Sequence, residues 1–178
     1  MSGRVIQYDE RTGFPLFLPD ELRFTRFLSV RLIGRPPGDK LCVWCWSPVR
    51  SPRRSWCSQE CVEAYTVRSS AQIVSNRLFK RDKGVCAICH QDSVAVMRAK
   101  SEITPRGRLV RRYMDPWQGS PWQADHIVPV VEGGGCCGLI NYRTLCTACH
   151  LAETALLRKR IASARAPQKQ ILLEGMGD

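Results

Sequence analysis

Eight of the ten cysteines in this 178-residue chain stand in four closely spaced pairs, and this spacing constrains the fold more than any other feature. The first two pairs are Cys42-x2-Cys45 and Cys57-x3-Cys61. Four thiolates at these spacings can surround one zinc ion tetrahedrally, the first pair from a tight turn and Cys61 from the start of a helix. Four unliganded thiols are the alternative, which the doubled pairing disfavours. We therefore predict a structural zinc site.

The second set consists of Cys86-x2-Cys89 and Cys146-x2-Cys149, with 56 residues between the two pairs. This separation is long for one small zinc finger, but it suits an enzyme core inserted between two cysteine turns, with zinc clasping both ends. Each structural site can supply on the order of 10 kcal/mol of apparent binding energy, which offsets a small apolar core. We predict a second structural zinc here. The adjacent Cys136-Cys137 pair receives no role, because adjacent cysteines seldom replace a spaced pair.

The charge of the chain favours a polyanionic partner. Lysine and arginine number 27 against 16 acidic residues, which gives a formal net charge of +11. Attraction to phosphates and release of their counterions make nucleic acid the expected partner. A solvated basic surface is the alternative, and charge alone does not separate DNA, RNA and anionic lipid.

Composition and the N-terminal residues bear on localisation. Hydrophobic residues make up 44% and charged residues 24%, values that are typical of a soluble folded chain. The apolar cluster at residues 14–18 contains Pro15 and is too short for a signal core or a membrane span. We therefore expect an intracellular protein, in cytoplasm and nucleoid or in a nucleus, with no membrane partner. In a reducing compartment, paired cysteines indicate metal binding rather than disulfides.

Turn-forming residues and the cysteines divide the chain into units. Residues 35–39, Arg-Pro-Pro-Gly-Asp, have the composition of a linker. The polar stretch 58–83 lacks proline and glycine, which predicts one helix, or two broken near Ser69-Ser70, ending at Gly84. The predicted units are an N-terminal extension without an assigned role (1–40), a four-cysteine zinc finger (41–66), a linking helix (67–84), a core domain (85–166) and a C-terminal tail (167–178).

The core domain begins with an insert and ends in a regular pattern. In the insert, residues 91–121, short strands around 94–97 and 109–113 are expected to form a hairpin. The remainder predicts the order strand, strand, helix, with a glycine turn between the strands. The expected bounds are 127–131, 139–145 and 147–166.

Two of the three histidines flank this strand, strand, helix unit, in the dipeptides Asp125-His126 and Cys149-His150. Phosphodiester hydrolysis needs a base to deprotonate water and a cation to neutralise the phosphate. Neighbouring residues on a strand point to opposite faces, so Asp125 and His126 would have separate tasks. Alone, the Asp-His dipeptide would be a chance occurrence, and the histidine after Cys149 would be interpreted as a zinc ligand. Their joint occurrence with Asn141 between them is the stronger signal.

The stretches 122–135 and 141–150 resemble the HNH endonuclease family. The likeness is greatest to the zinc-containing branch that includes the nuclease domain of SNF2-type annealing helicases. It extends to residues 84–89 and 56–61 and covers about residues 41–160. The resemblance implies a small zinc-stabilised α+β fold, in which a treble-clef-like four-cysteine zinc finger and a linking helix precede a ββα-metal core clasped by the second cysteine set.

The resemblance also implies the chemistry of the site. His126 would be the general base on water, Asp125 and His150 would hold one catalytic Mg²⁺ or Mn²⁺, and Asn141 would orient the loop after His126. Cleavage would leave 5′-phosphate and 3′-hydroxyl ends, with the metal stabilising charge on the leaving oxygen. We therefore expect a metal-dependent endonuclease that hydrolyses DNA phosphodiester bonds with a single metal ion.

Basic clusters occur in every unit beyond residue 40, around residues 50–54, 77–83, 98–112 and 158–165. They favour binding to the phosphate backbone, and the expected substrate is double-stranded or branched DNA. A helicase or other protein partner and the oligomeric state stay open. One alternative is a non-catalytic zinc-dependent DNA-binding or protein-docking module. Another is an RNA-directed nuclease, because a metal site contacts phosphate rather than the 2′-hydroxyl.

Overall fold

The chain alternates helices with two small hairpins and ends in a strand, strand, helix unit. The computed structural model describes residues 3–28, 34, 36–99, 101–103, 109–111 and 120–165. Its longer elements are α1 (Gln59–Ser69), α2 (Ala71–Asp82), α3 (Ser93–Ala99), β1 (Ser101–Ile103), β2 (Leu109–Arg111), β3 (Trp122–His126), β4 (Tyr142–Cys146) and α4 (Thr147–Arg165). Short 3₁₀ helices lie at Asp20–Phe24, Val130–Glu132 and Leu139–Asn141.

Two serines explain why the stretch 58–83 forms two helices. The Ser58 side chain caps α1, and Ser70 ends α1 and caps α2 by accepting a hydrogen bond from the Ile73 amide. The helix α2 ends at Asp82, two residues before the predicted stop at Gly84. Lys83 takes a left-handed conformation there, with φ of 55°, and Gly84 follows with φ of 84°. Helix α1 runs across the predicted unit boundary at residues 66 and 67.

The strands β3 and β4 form an antiparallel hairpin in which Trp122 pairs with Cys146 and His126 with Tyr142. The predicted strand at 127–131 is wrong, because β3 ends at His126 and a loop with a 3₁₀ turn follows. Ile127 and Val131 are more than half exposed, so this apolar run does not enter a core. The second strand begins at Tyr142, three residues later than predicted, and α4 coincides with the predicted helix within one residue.

The predicted strand at residues 94–97 is also wrong, because these residues lie within helix α3. The Asp92 carboxylate accepts the amides of Val94 and Ala95, as a helix-capping side chain does. Strand β2 overlaps the second strand predicted in the insert and pairs with β1. Residues 104–108, residues 112–119 and the predicted tail at 167–178 lie outside the described residues.

The N-terminal segment, residues 3–28, shares a core with the first four cysteines. Four buried side chains of the segment lie in one core with Trp44, Val49 and Cys136. These four are Phe14, Leu18, Leu22 and Leu28. Backbone hydrogen bonds fix the segment at its far end, where the Cys136 amide donates to the Thr25 carbonyl and the Leu28 amide to the Arg68 carbonyl, both at 2.8 Å. The segment is therefore part of the folded unit.

A second core lies between α2 and the β3–β4 hairpin. It contains Val67, Val74, Leu78, Trp122, Cys137 and Tyr142. Polar contacts join the same elements, because Arg81 donates to the Tyr142 carbonyl at 2.8 Å and Thr144 donates to the Asp82 carboxylate at 2.7 Å. Helix α2 therefore supports the hairpin from which the candidate site is built. Within the described residues, no helix is long and apolar enough to cross a membrane.

The packing of the N-terminal segment can be tested with one buried and one exposed side chain. We expect Phe14→Ala, at a fully buried position, to lower the free energy of unfolding by ~3–5 kcal/mol. Leu16→Ala, at a position that is 51% exposed, should cost less than about 1 kcal/mol. Urea unfolding followed by circular dichroism measures both. A loss of unfolding free energy in Phe14→Ala as small as that in Leu16→Ala would mean that the segment does not belong to the core.

Candidate active site and metal centres

The first cysteine cluster (Cys42, Cys45, Cys57, Cys61) brings four sulfurs within 4.8 Å of one another. The Sγ atoms of Cys45 and Cys57 are 3.3 Å apart, and those of Cys57 and Cys61 are 3.5 Å apart. Tetrahedral zinc with Zn–S bonds of about 2.3 Å separates its sulfurs by about 3.8 Å. The donor set therefore fits one zinc ion, with α1 supplying Cys61 from its first turn.

The second cysteine cluster (Cys86, Cys89, Cys146, Cys149) meets the same distance criterion. Cys86 and Cys89 precede the insert, Cys146 ends β4, and Cys149 lies in the first turn of α4. The cluster therefore joins both ends of the core domain, and its sulfurs also fit one zinc ion.

The two Cys-x2-Cys turns have the same backbone hydrogen bonds. The Cys42 amide donates to the Ser47 carbonyl, and the Cys86 amide donates to the Gln91 carbonyl five residues on. Trp46 and His90, each directly after the second cysteine, both have φ of 59°. His90 is exposed and lies outside both sulfur clusters.

The backbone of the second Cys-x2-Cys turn stabilises the thiolate form of Cys86. Burial opposes ionisation of Cys86, but hydrogen bonds from the backbone of Cys89, Cys146 and Ile88 outweigh it and lower its pKa to about 6. Thiolate is the form that binds zinc. Burial instead raises the pKa of Cys136 and Cys137, which pack in the first and second cores respectively. These two cysteines are packing residues.

Asp125 on β3 and His150 on α4 face each other. Asp125 Oδ1 lies 3.9 Å from His150 Nε2, and the Asp125 side chain is 18% exposed. Two metal–ligand bonds of about 2.1 Å sum to more than this gap, and neighbouring ligands of an octahedral cation lie about 3.0 Å apart, so closing the pair by about 1 Å would let one cation bind both atoms. Water and substrate phosphate can complete the coordination of Mg²⁺ or Mn²⁺.

His126 ends β3, one residue after Asp125. Its ring packs against Tyr142, with 4.4 Å between the ring centroids. Burial, aided by the positive charge of Arg26 and opposed by Asp125, lowers the pKa of His126 to about 4. The imidazole is therefore neutral at neutral pH. Its Nε2 atom is buried and accepts no hydrogen bond from any described residue.

Asn141 is fully buried beneath the loop that follows His126. Its Oδ1 accepts the Val128 amide at 2.8 Å, and its Nδ2 donates to the carbonyls of Val128 and Gly134 at 3.0 and 2.9 Å. Its own carbonyl accepts the Ile127 amide. Only glycine fits at position 134, because a Cβ there would lie 1.8 Å from the Val128 carbonyl oxygen. The side-chain amide of Asn141 thus binds both ends of the loop, at Val128 and at Gly134.

Sequence reasoning did not find Arg143 or Arg26. Arg143 lies opposite Asp125 in the hairpin and donates to its Oδ2 at 2.9 Å. Correct strand bounds would have given this pairing, since the register decides which residues are opposite. Arg26 comes from the N-terminal segment, and no local pattern connects it with His126.

Comparison with known proteins identifies the ββα unit. The family model described as HNH endonuclease matches residues 112–156, which include β3, β4 and all four candidate site residues. The chain contains an HNH-family domain. The match rests on the hairpin and helix that carry Asp125, His126, Asn141 and His150.

Curated relatives extend the similarity beyond this HNH domain. The mouse (Mus musculus) protein named "DNA annealing helicase and endonuclease ZRANB3" is 32% identical over 160 residues, covering 74% of this chain. The human (Homo sapiens) protein of the same name is 30% identical over 156 residues, covering 72%. The chain spans 14% of the length of each relative. No solved structure gives a significant match.

The cysteine clusters predict a metal content of two zinc ions per chain. We expect Cys42→Ser and Cys86→Ser each to reduce it to one, because each removes one of four thiolates. Cys136→Ala, outside both clusters, should retain two. Native mass spectrometry gives the stoichiometry, and chelation should unfold the protein as followed by circular dichroism. Two zinc ions retained by Cys86→Ser would contradict the assignment.

The loop after His126 can be tested through Asn141. Asn141→Asp keeps the size of the side chain but turns a carboxylate oxygen towards the carbonyls of Val128 and Gly134. We expect the free energy of unfolding to fall by at least about 2 kcal/mol, because a buried pair of donors is lost. Asn76→Asp on the exposed face of α2 is the matched control. Thermal unfolding distinguishes the two, and similar losses would argue against a special role for Asn141.

Proposed function

We propose that this HNH domain is an endonuclease that hydrolyses DNA phosphodiester bonds with one catalytic divalent cation and His126 as general base. The observation that carries the proposal is the Asp125–His150 pair, 3.9 Å apart, with the neutral His126 imidazole at the next position of β3. A cation site next to a proton acceptor is what hydrolysis of a phosphodiester requires.

Each of the four residues has a task in the proposed reaction. The His126 imidazole accepts a proton from the attacking water, and its lowered pKa keeps it unprotonated at neutral pH. Asp125 and His150 would hold Mg²⁺ or Mn²⁺, which supplies charge stabilisation at the phosphate and at the leaving 3′-oxygen. Asn141 holds the loop that begins directly after His126, so it limits the movement of the base.

DNA as substrate is supported by charge and by the relatives. Exposed cations are found on the first cysteine unit, on α2 and on α4, at Arg50, Arg53, Arg54, Lys80, Arg158 and Lys159. Together with the net charge of +11, they favour phosphate contacts that do not depend on sequence. The relatives are named as DNA-processing enzymes, and this chain would supply the nuclease part of such an activity.

His126 provides the direct test of the proposed function. We expect His126→Ala to reduce plasmid nicking in Mg²⁺ or Mn²⁺ by about 10²–10⁴-fold, the usual contribution of a general base. DNA binding should change little, and the variant should stay folded with a lower thermal stability, because the ring packs against Tyr142. His90→Asn, at an exposed position in a cysteine turn, is the matched control and should cut like the wild type.

Two further results would decide between this proposal and its alternatives. A wild-type protein that shifts DNA on a gel but does not nick it with either metal would be a non-catalytic zinc module. Parallel digestion of plasmid, branched DNA and RNA tests the substrate, and cleavage of RNA alone would contradict a DNA endonuclease. Unchanged nicking by His126→Ala would remove His126 from the mechanism.

A further inference from the structure

A chain of ion pairs lies beside the candidate cation site. Arg143 on β4 donates from Nε to Asp125 Oδ2 at 2.9 Å and from Nη2 to Glu153 Oε2 at 2.6 Å. The three side chains are one-third exposed or less. Partly buried, charge-assisted hydrogen bonds of this length are stronger and less screened than surface ion pairs.

The elements explain why these residues meet. Arg143 is the register partner of Asp125 in the hairpin. Glu153 follows His150 by three residues in α4, which places both on one helix face. Arg143 therefore connects the strand that carries one candidate ligand with the helix that carries the other.

We propose that Arg143 is a positioning residue of the cation site, held in place by Glu153. This inference rests on the proposed function. A free carboxylate can rotate, but Arg143 occupies Oδ2 and leaves Oδ1 directed at His150 Nε2. Groups that hydrogen-bond to a metal ligand orient it in this way, and their removal typically weakens metal binding by about 10–100-fold.

Glu153 also has an electrostatic task. An arginine beside a divalent cation repels it, and the Glu153 carboxylate offsets that charge while it holds the guanidinium. A direct role of Arg143 on the DNA phosphate is disfavoured, because two of its donors are already bound to carboxylates.

Binding of Mn²⁺ to the zinc-loaded protein, measured by electron paramagnetic resonance, tests the inference without relying on cleavage. We expect Arg143→Met to raise the Kd for Mn²⁺ by about 10–100-fold. Arg143→Lys should lie between this variant and the wild type, because an ammonium group can reach Asp125 but lacks the planar fork. Arg77→Met is the matched control, since Arg77 forms a similar 2.8 Å pair with Glu63 between α1 and α2.

Cleavage then separates positioning from catalysis. In Arg143→Met, saturating Mn²⁺ should restore most of kcat, whereas no concentration of Mn²⁺ should rescue His126→Ala. A Kd for Mn²⁺ unchanged in Arg143→Met would overturn the inference, and so would a higher KM for DNA at unchanged Mn²⁺ affinity, which would make Arg143 a phosphate ligand. If Arg143→Met does not fold, Glu153→Gln replaces it and should also weaken Mn²⁺ binding.

Asp125→Ala distinguishes failure of the inference from failure of the proposed function. If it leaves Mn²⁺ affinity unchanged, the cation site itself is wrong and both proposals fail. If it abolishes Mn²⁺ binding while Arg143→Met and Glu153→Gln do not weaken it, only the positioning role is rejected.

Discussion

The second cysteine cluster controls the geometry on which the candidate site depends. Cys146 ends the strand that pairs with Asp125, and Cys149 lies in the first turn of the helix that carries His150. The buried core at this end consists only of Cys86, Leu145 and Cys146 among the described residues. So little apolar surface cannot by itself hold a helix at a fixed angle to a hairpin. Sulfur–metal bonds would therefore take the place of packing at this junction, and a structural metal would set the separation of the ligands of a different, catalytic one.

The other side of the hairpin depends on hydrogen bonds instead. Asn141 satisfies its buried amide within the loop after His126, and Gly134 permits the close approach. The N-terminal segment adds a second constraint, because the carbonyls of Arg23 and Thr25 accept the amides of Gly135 and Cys136. A satisfied polar network fixes a unique loop conformation that apolar contacts alone would not specify. His126 is thus held by groups that are separate from the sulfur clusters.

The parts of this structure that sequence reasoning predicted depend on short spacings. The cysteine turns, the break at Ser70 and the helix after Cys146 follow from local rules, because neighbours in sequence determine them. The strand at 127–131 was predicted wrongly because the apolar run is not a buried strand: Ile127 and Val131 are exposed, and a 3₁₀ turn begins at Val130. Phe14 is visibly apolar, yet it shares its core with Trp44, thirty residues later, and no local pattern predicts that they belong to one core. Arg143 needed the strand register, which a shift by one residue changes completely.

A chain with a net charge of +11 must still attract a divalent cation to the proposed site. Asp125 would be the acidic ligand there, and Arg143 offsets part of the charge of Asp125 and Glu153, so the protein alone offers the ion only a small net negative charge. A DNA phosphate held by the exposed cations would bring both charge and oxygen ligands. By linkage, cation and DNA then strengthen each other's binding by the same factor. On the proposed function, the metal ion would therefore bind most tightly when the DNA substrate is present.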